Sequence, residues 1–339
     1  MREVGKMKKI INEANQVVDH MIEGMLATSP DLYKRLEDKN VITRKNAPTD
    51  GKVAIISGGG SGHEPAHTGY VGKGMLDAAV IGEVFTSPSA ADIYETIKAV
   101  DSGSGVFLII KNYAGDVMNF EMAREFAEAE GIQIDQIIVR DDIAVEDSIY
   151  TVGRRGIAGT IFVHKIIGAL AETGASLAKI KEVAEQVVKN VRSIGVATNP
   201  CTIPAVGEPT FTLEDDEIEI GIGIHGEPGI ERRKMMSASE IATYMLDRIF
   251  ADIEINSEDD VAVLINGLGA TPEMELYIIQ HEVEKILREK GINIYRAFVG
   301  EYMTALEMGG CSVTLLKLEG AWKELLDAPS DAKNFFVRS

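Results

Sequence analysis

The sequence predicts an α/β fold of two α/β domains with largely parallel or mixed sheets. Short β-branched runs alternate with longer segments of helical periodicity, which is typical of such architectures. The chain has 339 residues, 45% of them hydrophobic, which is enough for two cores. The segment 198-TNPCTIPAVGEP-209 is dense in Pro and Gly and interrupts the alternation. We therefore place the boundary near residue 190 and predict domains at 1–190 and 191–339.

Apolar runs rich in β-branched residues and bounded by turn residues predict the strands. The predicted strands are 53-VAII-56, 106-VFLII-110, 137-IIV-139, 261-VAVLI-265 and 312-SVTLL-316, with 218-IEIGIGI-224 as a further candidate.

Capping residues and periodicity predict the intervening helices. Ser87 as N-cap, with Pro88 at the first helical position, predicts a helix over 88–100. A second helix is expected over 116–130, ended by Gly131. Ser176 predicts the start of a third, over 176–191.

Charge and composition exclude several classes of function. The 53 acidic and 34 basic side chains give a net charge of −19, which repels nucleic acid and anionic membranes. Residues 1–18 are amphipathic without the apolar core of a signal peptide, and no stretch approaches the ~20 apolar residues of a membrane span, so we expect a cytoplasmic protein. Cys201 and Cys311 form no metal-binding pair and are expected to be buried small hydrophobes.

The stretch 58-GGGSGHEPAH-67 contains His63, Glu64 and His67 in the order of the zinc signature H-E-x-x-H. That signature needs two histidines on one face of a regular helix. Pro65 and the preceding glycines disfavour such a helix, so we expect no metal here. Both nucleotide-binding glycine patterns fail because His63 occupies the position of a required glycine.

What remains is a strand that enters a tight glycine turn at the carboxyl edge of a parallel sheet, where small polar ligands bind. His63 is expected to project into that crevice. The alternative is a plain connector in which His63 caps backbone groups.

Two other clusters provide polar groups. The next strand ends in 111-KNYAGD-116, so Lys111 and Asp116 are expected to share the crevice with His63 as cation and base or hydrogen-bond partner. Alternatively, Asp116 is only an N-cap for a helix from 117. His225, between glycines in 221-GIGIHGEPGI-230, is expected to be neutral and nucleophilic in an apolar strand, or else a buried histidine satisfied by the backbone. His20, His164 and His281 lie on predicted helices and are interpreted as surface or core residues.

Several motifs together resemble the substrate-binding K subunit of dihydroxyacetone kinases, and the resemblance covers essentially the whole chain. These motifs are 57-SGGGSGHEPAHTGYVGKGMLDAA-79, 82-GEVFTSPS-89, 108-LIIKNYAGDVMNFE-121, 153-GRRGIAG-159, 221-GIGIHGEPGIERR-233 and 263-VLINGLGATPEMELY-277.

The resemblance implies a site held between loops of two α/β domains. It implies that His225 captures the carbonyl of dihydroxyacetone as a covalent hemiaminal, and that Gly60, His63, Lys111 and Asp116 hold the hydroxyls. Asp116 and His63 are then the further catalytic residues.

The resemblance also implies partners. The chain itself would bind no cofactor, because ADP or ATP with Mg would sit on a separate nucleotide-binding L subunit. In bacterial members that subunit holds ADP, which a phosphotransferase-system protein rephosphorylates, whereas other members use exchangeable ATP. The family's habit of forming homodimers implies a homodimer here. The main alternative is a non-catalytic paralogue that senses dihydroxyacetone and acts on a transcription regulator. Asp116, His63 and Lys111 favour the enzyme, since a sensor needs no base.

Overall fold

The computed structural model describes residues 8–145 and 153–338, so part of the amphipathic N-terminal segment, residues 1–7, lies outside it. The α-helices are α1 (Val17–Thr28), α2 (Ala90–Val100), α3 (Ala114–Ala129), α4 (Thr160–Glu172), α5 (Leu177–Asn190), α6 (Ala238–Asp252), α7 (Glu273–Glu289) and α8 (Trp322–Asp327). The strands are β1 (Tyr33–Arg35), β2 (Val41–Arg44), β3 (Ala54–Ser61), β4 (Ala78–Val84), β5 (Val106–Lys111), β6 (Ile134–Val139), β7 (Val191–Asn199), β8 (Glu217–Ile220), β9 (Glu231–Lys234), β10 (Asp260–Gly267), β11 (Asn293–Gly300), β12 (Gly309–Lys317), β13 (Ser330–Ala332) and β14 (Phe335–Val337).

The first sheet has the order β1-β2-β4-β3-β5-β6. Strands β4, β3, β5 and β6 are parallel, whereas β1 and β2 add an antiparallel edge. The pairing of Ser57 with Ile109 sets β3 beside β5, so the carboxyl ends of these two strands lie next to each other. The glycine turn and Lys111 therefore meet at one edge of the sheet, where ligands of parallel sheets bind.

The second sheet has the order β11-β10-β12-β7-β8-β9, and only its β10–β11 pair is parallel. The mixed fold class is thus confirmed, but parallel strands dominate only the first sheet. Strands buried on both faces read as continuous apolar runs whichever way they point, which is why the sequence did not separate the two cases.

One hydrophobic core joins the two halves of the chain. It contains Ile55, Phe107 and Phe162 from the first half together with Leu316 and Trp322 from the second. A smaller core lies mostly in the second half, around the other face of its sheet, and includes Ala144 of the first half. The division into domains at 1–190 and 191–339 stays a prediction.

Backbone bonds between two distant loops also join the halves. The amide of Leu306 donates to the carbonyl of Gly62 over 2.8 Å, and that of Thr304 donates to the carbonyl of His63 over 3.2 Å. The loop 302–306 of the second half therefore holds the glycine turn of the first.

The termini of several elements differ from the sequence expectation. Helix α2 is capped by Ser89, whose side chain accepts from the amide of Asp92, and not by Ser87. The predicted cap at Ser176 is confirmed by its bond from the amide of Lys179. The candidate strand 218–224 ends at Ile220, because Gly221 turns the chain with a φ of +75°.

The composition also predicted that no segment spans a membrane and that both cysteines are buried. Among residues 8–145 and 153–338, no helix has the length and apolar character needed to cross a bilayer. Cys201 and Cys311 are both buried and unpaired, as predicted.

Candidate functional site

Gly58, Gly59 and Gly60, which were expected in a turn, belong to strand β3, and none of the three has room for a side chain. A Cβ on Gly59 would clash with Nζ of Lys111, and it would lie 3.7 Å from Oδ2 of Asp116. A Cβ on Gly60 would lie 2.6 Å from the backbone nitrogen of Thr86. The sequence resemblance emphasised Gly60, but it is Gly59 that leaves space beside the lysine and the aspartate.

His63 is fully buried beyond the end of β3. Its Nδ1 lies 2.8 Å from the carbonyl oxygen of Thr304, so Nδ1 is the donor. Burial lowers the pKa of His63 well below its usual value, and the charges of His225 and Lys111 lower it further. The ring is therefore neutral, and its Nε2 has no hydrogen-bond partner among the described residues. The expected backbone bond of His63 exists, yet it leaves the second nitrogen available to accept.

The H-E-x-x-H stretch is not helical. Residues 62–67 form bends and turns, followed by one 3-10 turn at Thr68–Tyr70. His67 makes its contacts with Lys111 and His164. Within the described ranges, no group of three or more His, Cys, Asp or Glu side chains could hold a metal ion.

Lys111 and Asp116 lie on either side of the turn between β5 and α3. Nζ of Lys111 is 3.9 Å from Oδ2 of Asp116, and both residues are buried. Burial lowers the pKa of Lys111, and the charge of Asp116 acts against that shift. Asp116 stands in the first turn of α3, whose N-cap is Tyr113, so the interpretation of Asp116 as N-cap is wrong. Its Oδ1 has no hydrogen-bond partner in the described part of the chain.

His225 lies in the loop after β8, not in a strand as expected, and its side chain is 19% exposed. Its Nδ1 is 2.9 Å from Oε1 of Glu227, and its amide donates to Oε2 of the same carboxylate over 3.0 Å. Burial would raise the pKa of Glu227, but the hydrogen bond and charge of His225 and the charge of Arg155 lower it to about 2. Because a carboxylate only accepts, Nδ1 of His225 is the donor, and in the neutral form of the ring the lone pair is on Nε2.

The aromatic and imidazole rings converge around His225. Its ring centroid is 4.7 Å from that of His63, 5.2 Å from that of Phe85 and 4.5 Å from that of Tyr113. Phe85 also stacks on His63 at 5.0 Å. The structure thus brings the predicted His63 and His225 into contact, with the Lys111–Asp116 ion pair close enough for the lysine to affect the pKa of His63.

Sequence reasoning missed several residues of this site. Glu227 orients His225, and its only signal is its place two residues further along the same loop. Arg155 donates to Asp142 and to the carbonyl of Gly221, each over 2.7 Å, which fastens the start of the His225 loop. Phe85 places its ring against His63 and His225, and its backbone has a φ of +57°. No sequence pattern predicted this conformation.

His164 is a core residue, in agreement with the expectation, but it also makes a polar contact that the sequence did not predict. It is fully buried on α4, and its Nε2 lies 2.9 Å from Nδ1 of His67. His20 and His281 are exposed, in agreement with the expectation.

Comparison with known proteins gives a consistent set of relatives. A family model described as the Dak1 domain matches residues 23–334. A dihydroxyacetone-binding subunit, DhaK, of a PTS-dependent dihydroxyacetone kinase from Listeria innocua is 55% identical over 96% of this chain and 99% of its own length.

Solved structures extend these similarities. The dihydroxyacetone kinase operon co-activator DhaQ has a TM-score of 0.90 at 37% identity, covering 97% of this chain and 100% of its own. The dihydroxyacetone kinase of C. freundii, in complex with AMP-PNP and Mg²⁺, has a TM-score of 0.89 at 36% identity. The match covers 98% of this chain but only 61% of the C. freundii chain.

Proposed function

Because the chain belongs to the Dak1 domain family, and within it to the DhaK dihydroxyacetone-binding subunits of dihydroxyacetone kinases, we propose that it presents dihydroxyacetone for phosphorylation as a covalent hemiaminal on His225.

The pairing of His225 with Glu227 carries this proposal. With the proton on Nδ1, the lone pair of Nε2 is free to attack a carbonyl carbon. A C–N bond forms, the π electron pair of the carbonyl moves to oxygen, and the oxygen takes one proton from solvent. The Glu227 carboxylate then offsets the positive charge on the imidazole ring.

Covalent capture suits a substrate of this size. A ligand of about six heavy atoms gains limited affinity from contacts alone. Glycerol carries similar hydroxyls but no carbonyl, so it cannot form the bond and is rejected.

The neighbouring polar groups fit the second step of the reaction. The free Oδ1 of Asp116 accepts the proton of the terminal hydroxyl as that oxygen attacks phosphorus. The free Nε2 of His63 accepts a hydrogen bond from a substrate hydroxyl, and Lys111 supplies positive charge beside Asp116. The backbone of Gly60, near the end of β3, is assigned to the same hydroxyls.

The phosphoryl donor must come from elsewhere. The sequence has neither phosphate-loop pattern, so ADP or ATP with Mg is assigned to a separate L subunit. A phosphotransferase-system protein would rephosphorylate the ADP on that subunit, in line with the PTS-dependent kinase named for the Listeria innocua relative. A homodimer of this chain is part of the same proposal.

A second candidate function is that of a co-activator acting on a transcription regulator, which the TM-score of 0.90 with DhaQ favours. The kinase subunit is preferred because identity is 55% to a kinase subunit and 37% to the co-activator. The buried Asp116 also gives the site a base that ligand sensing does not use.

Reconstitution with a cognate L subunit and a phosphoryl donor separates the two candidates. We expect dihydroxyacetone phosphate to form, and Asp116→Asn to lower turnover by about 10²-fold, the usual scale for a positioned base, while adduct formation persists. Normal ligand capture by the native chain without any turnover would instead favour the co-activator.

The adduct itself is tested by intact-protein mass spectrometry and crystallography after soaking with dihydroxyacetone. We expect a bond from Nε2 of His225 to the central carbon of the ligand, and none in His225→Ala. A ligand held only by hydrogen bonds, or attached to His63, would overturn the assignment.

A further inference from the structure

We propose that His67 and His164 are positioning residues that hold the ammonium group of Lys111 away from Asp116 through a one-directional chain of hydrogen bonds. This inference rests on the proposed function, because it gives Lys111 and Asp116 their roles. No step of that function uses either histidine.

The chain runs from the site into helix α4. Nζ of Lys111 is 2.8 Å from Nε2 of His67, and Nδ1 of His67 is 2.9 Å from Nε2 of His164. All three side chains are buried, with residue exposures of 1%, 5% and 0%. The contacts are therefore shielded from water, which strengthens each of them.

The chemistry of the end group fixes the direction of the chain. An ammonium only donates, so Nε2 of His67 accepts and its proton lies on Nδ1. Nδ1 then donates to Nε2 of His164. Ser57 agrees with this direction, because its hydroxyl donates to the carbonyl of Ile109 over 2.7 Å and offers only lone pairs to Nδ1 of His67, 3.4 Å away. Burial lowers the pKa of both His67 and His164, so both rings are neutral.

The chain explains the spacing of the ion pair. Lys111 and Asp116 face each other at 3.9 Å, beyond hydrogen-bond distance, although both are buried and oppositely charged. With His67 as acceptor, the ammonium points one hydrogen away from the carboxylate. Without that acceptor, Nζ would close on Oδ2 and pair directly with the carboxylate whose Oδ1 receives the substrate proton.

Simple core packing accounts less well for these histidines. Nδ1 of His164 carries the last proton of the chain and has no partner among the described residues. A buried donor left without a partner is destabilising. An apolar side chain at this position would avoid that cost, so the polar pair is better explained by its effect on Lys111.

The test combines spectroscopy and kinetics. Imidazole ¹H–¹⁵N spectra of the chain alone should show His67 protonated only at Nδ1, with signals assigned by single substitutions among the six histidines. A proton on Nε2 of His67, or a charged ring at pH 7, would overturn the proposal. This measurement needs neither the L subunit nor dihydroxyacetone. It therefore tests the proposed chain of hydrogen bonds even if the proposed function fails.

The kinetic test uses a pair of variants at position 67 in the reconstituted kinase. His67→Leu removes the acceptor and should lower kcat by about 10-fold or more while adduct formation at His225 persists. His67→Gln keeps an acceptor near Nε2 and should restore most of that loss. Ile161→Val is the matched control, because it changes a buried residue of α4 that takes no part in the chain of hydrogen bonds. Equal losses in the Leu and Gln variants, with the control unaffected, would show that only packing matters there.

Discussion

At the scale of single residues, Glu227 determines the chemistry of His225. The carboxylate receives both the ring Nδ1–H and the backbone N–H of the histidine, so it fixes the tautomer and the direction of the ring together. A partner of this kind typically changes the performance of a functional histidine by one to two orders of magnitude.

We therefore expect Glu227→Gln to weaken capture of dihydroxyacetone by about 10-fold or more. The amide offers one acceptor where the native side chain offers two, so the ring bond or the backbone bond is lost. Adduct yield against ligand concentration, read by intact-protein mass spectrometry, measures the effect. Glu214→Gln, an exposed neutralisation in the same half of the chain, should behave as the native protein. Native yield in the Glu227 variant would mean that the carboxylate is only structural.

Much of the site was predictable because it follows strand ends. Lys111 comes directly after one apolar run and His63 follows the glycines after another, and neighbouring parallel strands bring such residues together. Glu227 was not predictable in this way, because a glutamate in a loop is usually solvated. The sequence does not show that this loop brings Glu227 into contact with His225. His164 was missed because helical periodicity marks it as buried without naming its partner.

At the scale of elements, the start of α2 shows how two serines compete for one cap. Ser87 precedes Pro88, which looks like a helix start, but Ser89 accepts from the amide of Asp92 over 3.1 Å and donates to its carboxylate over 2.8 Å. The helix thus begins after Pro88. Local sequence favours both positions, and in the structure residues 86–88 lie against Gly82 while the helix begins at the later one.

Ser89→Ala should accordingly lower the free energy of unfolding by about 1 kcal/mol, the usual cost of losing an N-cap. Ser87→Ala is the matched control and should cost clearly less. Denaturant titrations of both variants measure the difference. A larger loss in the Ser87 variant would restore the cap that the sequence pattern indicated.

At the scale of the whole molecule, three fully buried neutral histidines make stability depend on pH. Burial lowers the pKa of His63, His67 and His164, the last to about 3, against about 6.5 in an unfolded chain. Between those values the unfolded state binds more protons than the folded state. The stability that these residues provide is therefore lost as pH falls below about 6.5.

For His164 alone, this linkage amounts to about 2 kcal/mol between pH 7 and pH 5. We expect the free energy of unfolding of His164→Phe to fall by that much less over this interval than that of the native chain. The comparison is made between variants because Asp142, whose pKa burial raises to about 6, contributes with the opposite sign. Parallel pH dependences in the two proteins would show that His164 does not titrate on unfolding.

The core shared by both halves has a consequence for how the protein is made. Trp322, Leu326 and Phe335 belong to the same cluster as Ile55 and Phe107. A ribosome releases the glycine turn and β5 long before it adds the residues that complete their core. During synthesis the first half therefore has part of its apolar surface exposed. The loop 302–306, whose backbone bonds to His63, is also synthesised late. The proposed site for the ketone should therefore form only late in synthesis.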